Sequence, residues 1–170
     1  MVQVKPKSGE GQAADNRFQG ARILIIEARF YEAIADELFE GAEAEITAQG
    51  ATYERVVVPG ALEIPQVLVA AVAAGRFDEG VALYDGVVAL GCVIRGETSH
   101  YDIVVNNANH WLMEVAISQA IPVGNGILTV DTEEQAHARA RGGRSGKGGD
   151  AARACFALIE ASRRFQDEEP

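Results

Sequence analysis

The stretch VVALGCVIRGETSHYD, residues 87–102, changes from apolar to polar within a few positions. Its first half is apolar throughout, which predicts a strand over residues 86–94 that is buried on both faces of a sheet. Its second half carries an arginine, a glycine, an acid, two hydroxyls and a histidine. Ligands of parallel α/β sheets bind beyond the carboxyl ends of the strands. The stretch therefore predicts a buried strand followed directly by part of a binding site.

Apolar runs and helical periods alternate on both sides of this stretch. Strands are expected over residues 22–28, 52–58 and 122–130, and helices with apolar residues every three or four positions separate them. Strands that alternate with helices indicate a parallel sheet covered on both faces. The sequence therefore predicts the α/β class, as a flavodoxin-like three-layer sandwich with a four-stranded parallel sheet.

The ends of the chain set the limits of the expected domain. Residues 1–20 are polar and lack the apolar region of a secretory signal, so we expect a flexible extension whose segment VQV adds to another sheet. The glycine-rich stretch GGRSGKGG, residues 142–149, predicts a loop before a final helix over residues 150–165. Residues 166–170 form an acidic tail, which leaves residues 21–165 as a single domain.

Composition excludes several classes of function. The chain has 170 residues, a formal net charge of −10 and a pI of about 4.7, whereas binding to nucleic acid needs a basic surface. No apolar run is long enough to span a membrane. Cys92 and Cys155 are too few for a disulfide framework, so we expect reduced core residues in a cytoplasmic protein.

The segment GETSH, residues 96–100, leads into a predicted helix over residues 101–120. Unpaired N–H groups at a helix N-terminus favour an anion such as phosphate, but Thr98 or Ser99 as a simple N-cap is the alternative. His100 titrates near neutrality and can move protons in a condensation, or it is a capping or partly buried histidine. The two alternatives for the helix N-terminus and the two for His100 stay open at this point.

Two other strand ends carry candidate ligand contacts. Phe30 either stacks on a flat ring or packs against the helix that follows it. Glu63 either accepts hydrogen bonds from a ligand or caps the helix that begins near Pro65. Because the carboxyl ends of parallel strands lie side by side, we expect Phe30, Glu63 and His100 to meet in one cleft.

Three further features are conspicuous. Trp111 is expected on the buried side of its helix, in the core or at a subunit interface, and His137 is expected to be solvated. A basic cluster runs against the acidic composition and either grips a phosphate or offsets a helix dipole. Its members are Arg139, Arg141, Arg144 and Lys147.

The motifs VPGALEIP, LGCVIRGETSHYD, GNGILTVDTEEQAHARA and GKGGDAA together resemble the 6,7-dimethyl-8-ribityllumazine synthase family, also called the riboflavin synthase beta-chain family. The resemblance covers residues 21–165, and the first two motifs are highly specific. It implies a transferase of riboflavin biosynthesis that condenses 5-amino-6-(D-ribitylamino)uracil with 3,4-dihydroxy-2-butanone 4-phosphate. The products are 6,7-dimethyl-8-ribityllumazine, phosphate and water, and no cofactor or metal is implied.

The resemblance also implies a role for individual residues. Those implied for the pyrimidine substrate are Phe30, Ala61, Leu62, Glu63, Val93, Ile94, Asn125 and Lys147. Those implied for the butanone phosphate are Glu97, Thr98 and Arg139. His100 would donate and accept protons. Asn125 stands where many members carry an aromatic residue, and Arg141 is the alternative to Arg139.

In the family, the residues matched by Arg139 and Lys147 come from an adjacent subunit. A homo-oligomer of at least five subunits is therefore implied, with decamers and sixty-subunit shells as larger alternatives and riboflavin synthase as a candidate partner. Two other functions remain as alternatives. One is a non-catalytic flavin- or lumazine-binding protein on the same scaffold, and the other is a monomeric flavodoxin-like module with bound FMN.

Overall fold

Four parallel strands in the order β2-β1-β3-β4 form the centre of the computed structural model, which describes residues 16–167. The strands are β1 (Arg22–Ala28), β2 (Thr52–Val58), β3 (Gly86–Ile94) and β4 (Val123–Val130). The helices are α1 (Glu32–Ala48), α2 (Ile64–Ala73), α3 (His100–Ser118), α4 (Glu133–Ala140) and α5 (Lys147–Asp167). This arrangement confirms the predicted three-layer α/β sandwich.

Two separate cores cover the two faces of the sheet. Apolar residues of α1, α4 and α5, such as Leu38 and Phe156, pack with Ile23 and Ile25 of β1 on one face. Residues of α2 and α3 pack with the alternate residues of β1 and β3 on the other face. Since β1 and β3 are buried on both faces, their continuous apolar runs follow directly from their central place in the sheet.

The start of α5 differs from the sequence-based prediction. The helix begins at Lys147, so the prediction of a loop over residues 147–149 is wrong. A Cβ atom on Gly148 would lie 1.8 Å from the carbonyl oxygen of Leu38 in α1, and one on Gly149 would lie 2.1 Å from that of Arg144. Gly148 therefore allows α5 to approach α1 closely, and Gly149 allows it to approach the turn Gly143–Ser145, which a larger residue would prevent.

Two aromatic side chains differ in burial from the sequence-based expectation. Trp111 is 51% exposed, so its placement in the core is wrong, which leaves the subunit interface as the open alternative. Phe18 is buried and its ring lies 4.5 Å from that of Phe156, so the folded part begins before residue 21. The expected strand VQV lies outside the described residues. Within residues 16–167, no helix is long and apolar enough to cross a membrane.

Candidate active site

A cleft of about 400 Å³ opens at the carboxyl ends of β1, β2 and β3. The strand order reverses between β1 and β3, which is where ligands bind in open α/β sheets. Segments that follow three different strands line the cleft, as the sequence predicts. The residues expected to contact substrate that line it are Phe30, Ala61, Leu62, Glu63, Val93, Ile94, Thr98 and His100.

Phe30 lies in the short loop between β1 and α1. Its side chain is 71% exposed, and its ring meets that of Tyr31 edge to face at 5.0 Å. So much exposed surface disfavours the alternative in which Phe30 packs against α1. An exposed aromatic ring at the mouth of an apolar cleft gains burial and stacking energy when a flat ligand covers it.

Glu63 ends the 3-10 turn Ala61–Glu63 and occupies the N-cap position of α2. Its side chain makes no capping hydrogen bond, which disfavours the capping alternative. The carboxylate forms no hydrogen bond or ion pair with any other residue in the described part of the chain. Its acceptor oxygens are therefore available to a ligand in the cleft.

The N-terminus of α3 forms another wall of the cleft. Ser99 is the N-cap residue but makes no side-chain capping bond, and Thr98 Oγ1 accepts only a long hydrogen bond of 3.4 Å from the backbone N–H of His100. The exposed imidazole of His100 makes no hydrogen bond to another residue of the range 16–167. Exposed Glu97 lies in the same loop. The N–H groups at this helix end have weak hydrogen-bond partners, so they are suited to bind an anion such as phosphate. The adjacent imidazole is placed to transfer a proton when that anion leaves.

Arg95 stabilises this wall of the cleft. Sequence reasoning did not predict this role. Its guanidinium lies 4.0 Å from the centre of the Tyr101 ring and donates from Nε to Asp131 at 3.1 Å. A longer contact of 3.5 Å joins it to Asp102 in the first turn of α3. Arg95 thus connects the ends of β3 and β4 to the helix that carries His100.

Cys92 lies at the end of the cleft that is nearest the sheet. Burial raises the pKa of its thiol to about 11, so the group is protonated at neutral pH. Both Cys92 and Cys155 are free and buried, as predicted.

Glu97 does not line this cleft, and three further expected site residues lie outside it. Arg139 donates to the backbone oxygen of Gln135 at 2.9 Å, and Lys147 donates to Asp150 at 3.0 Å. Asn125 lies in the middle of β4, where it pairs with Asn109 of α3 at 2.7 Å. These three side chains therefore do not line the cleft of their own chain.

The alternatives Arg139 and Arg141 differ in their partners. Arg141 Nε donates to Glu37 at 2.9 Å, so its charge is already paired. Within the described residues, the exposed guanidinium of Arg139 has no carboxylate partner. Arg139 is therefore the more available of the two cations for a phosphate.

The prediction that His137 is solvated is wrong. Its Nδ1 atom lies 2.8 Å from Glu37 Oε2, and its side chain is only 18% exposed. Burial alone would raise the pKa of Glu37, but hydrogen bonds from His137 and Arg141 outweigh that effect and lower it. The contact joins α1 to α4 across 100 positions of sequence, which no local pattern reveals.

Two buried carboxylates were also missed by sequence reasoning. Glu27 of β1 is fully buried and pairs with Arg29 and Arg55. Glu45 of α1 is 1% exposed and accepts hydrogen bonds from both Arg144 and Arg153. A lone acid inside the apolar run RILIIEA was the available signal for the first, because a buried charge requires a partner.

Comparison with known proteins agrees with the geometry. A family model described as 6,7-dimethyl-8-ribityllumazine synthase matches residues 20–163. The chain belongs to this family. A 6,7-dimethyl-8-ribityllumazine synthase of Azorhizobium caulinodans is 52% identical over 155 residues, which cover 91% of this chain and 94% of the relative. A 6,7-dimethyl-8-ribityllumazine synthase 1 of Rhizobium meliloti is 52% identical over 153 residues, which cover 90% and 99%. The resemblance drawn from the motifs is thereby confirmed.

Proposed function

We propose that the protein carries out the reaction of its family in the cleft at the carboxyl ends of β1, β2 and β3. The protein is a transferase of riboflavin biosynthesis. It condenses 5-amino-6-(D-ribitylamino)uracil with 3,4-dihydroxy-2-butanone 4-phosphate to give 6,7-dimethyl-8-ribityllumazine, phosphate and water. The observation that carries the proposal is the meeting of Phe30, Glu63 and His100, from three separate segments, around one cleft.

The pyrimidine substrate takes the side of the cleft between Phe30 and Glu63. The exposed ring of Phe30 stacks on the pyrimidine, and the Glu63 carboxylate accepts hydrogen bonds from hydroxyl or N–H groups of the substrate. The backbone at residues 61–62 and 93–94 completes this side, since both segments line the cleft.

The butanone phosphate takes the side formed by the N-terminus of α3. Backbone N–H groups near Glu97 and Thr98 hold its phosphate, helped by the helix dipole. The amine of the pyrimidine attacks the carbonyl to form an imine with loss of water, phosphate leaves, and the ring closes with loss of a second water. His100 takes a proton at one step and returns it to a leaving oxygen at another, so it acts as both base and acid.

Arg139, Lys147 and Asn125 reach a cleft only if a second subunit supplies them. We therefore assign them to the cleft of an adjacent subunit, in a cytoplasmic homo-oligomer of at least five chains. The exposed apolar side chains of α2 and α3, including Val69 and Trp111, support such an assembly, because monomers rarely expose large apolar patches. Riboflavin synthase is the candidate protein partner, since this reaction precedes the last step of riboflavin biosynthesis.

The test mixes the purified protein with both substrates and follows the green fluorescence of the lumazine. The expected result is turnover that falls at least about 100-fold in His100→Ala, because general acid–base groups contribute on that scale. His110→Ala is the matched control, since His110 is exposed on the same helix and lies outside the cleft. Native mass spectrometry of each variant reports the assembly. Binding without turnover would favour a storage protein, and a monomer with bound FMN would favour an electron-transfer module.

A further inference from the structure

We propose that Arg29 is a positioning residue that holds Phe30 over the cleft, an inference that rests on the stacking role of Phe30 in the proposed function. Arg29 lies between the end of β1 and Phe30, and its side chain is only 22% exposed. Its guanidinium donates from one nitrogen to Glu27 and from another to Asp36, each at 2.8 Å. Its backbone N–H donates to the carbonyl of Val58 in β2 at 3.0 Å.

Glu27, one of the two carboxylates that Arg29 binds, is held rigidly. The carboxylate is fully buried within β1, and its second oxygen accepts from Arg55 Nε. Arg55 is itself stacked 3.8 Å from the centre of the Phe39 ring in α1. With both oxygens engaged and no exposed surface, Glu27 presents a fixed acceptor to Arg29.

The contact between Arg29 and Asp36 spans the loop that joins β1 to α1. Asp36 lies in α1, so the contact with Arg29 joins the strand to the helix over the residues that include Phe30. The backbone of the loop is also held at Tyr31, whose carbonyl accepts from the N–H of Ala35 at 2.9 Å. The N-cap residue Tyr31 makes no side-chain capping bond, and the ring of Phe30 contacts that of Tyr31, its neighbour in sequence. Tyr31 packs against the core, and the Arg29 guanidinium adds the polar side-chain link that joins β1 to α1 beside Phe30.

A ring that is held in place before the substrate arrives loses less conformational entropy on binding. Loosening the loop should therefore raise the KM for the pyrimidine. The KM for the butanone phosphate should stay the same, because that substrate binds at the N-terminus of α3, whereas the hydrogen bonds of Arg29 within residues 16–167 go to Glu27, Asp36 and Val58. General destabilisation would instead lower the active fraction and hence the apparent kcat.

The experiment measures both KM values for four variants: Phe30→Ala, Arg29→Ala, Arg29→Lys and Asp36→Asn. Losing a stacked ring raises the pyrimidine KM about tenfold, and Arg29→Ala approaches this value. Asp36→Asn raises it about threefold, as expected for one exposed ion pair. Arg29→Lys retains part of the effect, because an ammonium reaches one carboxylate but not two in the geometry of a fork. Asp36 is 68% exposed, so its variant folds, and the exposed Glu40→Gln on the same helix is the matched control.

A double variant separates positioning from a structural role. In the Phe30→Ala background, Asp36→Asn should add nothing to the pyrimidine KM, since no ring remains to be held. An effect that persists in that background, or equal increases in both KM values, overturns the positioning role and leaves the proposed function intact. An unchanged pyrimidine KM in Phe30→Ala itself overturns the stacking role on which both rest.

Discussion

Replacing Glu45 by Gln tests whether its buried charge holds Arg144 and Arg153 in place. Glu45 Oε2 accepts hydrogen bonds from Arg144 at 2.8 Å and from Arg153 at 3.0 Å, and Oε1 accepts from Gln49 at 2.9 Å. Glutamine keeps the shape and can pair its amide nitrogen with Gln49, whose Oε1 has no partner in the described structure, but it removes the negative charge. The substitution therefore removes the charge that faces Arg144 and Arg153 with little change in packing.

The expected loss follows from the exposure of the partners. Breaking a fully buried ion pair costs about 3–5 kcal/mol, and a hydrogen bond to a charged group contributes about 1.5–3 kcal/mol. The side chains of Arg144 and Arg153 are 45% and 42% exposed, so both can turn to water when Glu45 is lost. We therefore expect the free energy of unfolding to fall by about 2–3 kcal/mol, below the fully buried case.

Urea denaturation at one fixed protein concentration measures this loss, because the stability of an oligomer depends on concentration. Glu40→Gln removes an exposed acid from the same helix and should change stability by less than about 0.5 kcal/mol. Burial alone would raise the pKa of Glu45, but hydrogen bonds from Arg144 and Gln49 outweigh it and lower the pKa. The advantage of the native chain should therefore be full at neutral pH and should fade as the pH falls below about 5. A loss under about 0.5 kcal/mol at neutral pH, or one that does not depend on pH, would refute the reasoning.

The remaining predictions concern the phosphate site, the packing of α5 and acid stability. Arg139→Ala should raise the KM for the butanone phosphate about tenfold or more, whereas Arg141→Ala should change it little in the same fluorescence assay; the reverse order would assign the phosphate to Arg141. Gly148→Ala should lower the free energy of unfolding, measured in urea, by about 1–3 kcal/mol or more. The reason is that the new Cβ atom would lie 1.8 Å from a carbonyl oxygen of α1. An unchanged urea midpoint would contradict this close packing. The pKa values of Glu37 and Glu45 are both lowered in the folded protein. Stability followed by circular dichroism should therefore fall as the pH drops below about 5. A flat stability profile between pH 6 and about 3 would count against the ion pairs of both carboxylates.

The strands could be predicted from sequence almost to the residue. The apolar runs RILIIEA and GVVALGCVI coincide with β1 and β3, because both strands are central and buried on both faces. The cleft was also accessible to sequence reasoning, since polar groups at strand ends must converge in a parallel sheet. Its members Phe30, Glu63 and His100 were all expected there.

What sequence reasoning could not supply depends on contacts between distant segments. His137 pairs with Glu37 from 100 positions away, and Gly148 is small because α1 passes beside it. Arg55, one of the two partners of Glu27, and both arginine partners of Glu45 likewise lie on other elements. Helical periodicity also placed Trp111 on the buried side, because a pattern of apolar residues does not distinguish a core from a surface that a partner covers.

The separation of Arg139 from the cleft that contains His100 has a genetic consequence. If neighbouring chains share each cleft, two defective alleles can complement one another within a mixed assembly. A subunit with His100→Ala still carries an intact Arg139, and a subunit with Arg139→Ala still carries an intact His100. Random co-assembly of equal amounts restores roughly one cleft in four, so activity at low butanone phosphate should exceed that of either defective protein alone.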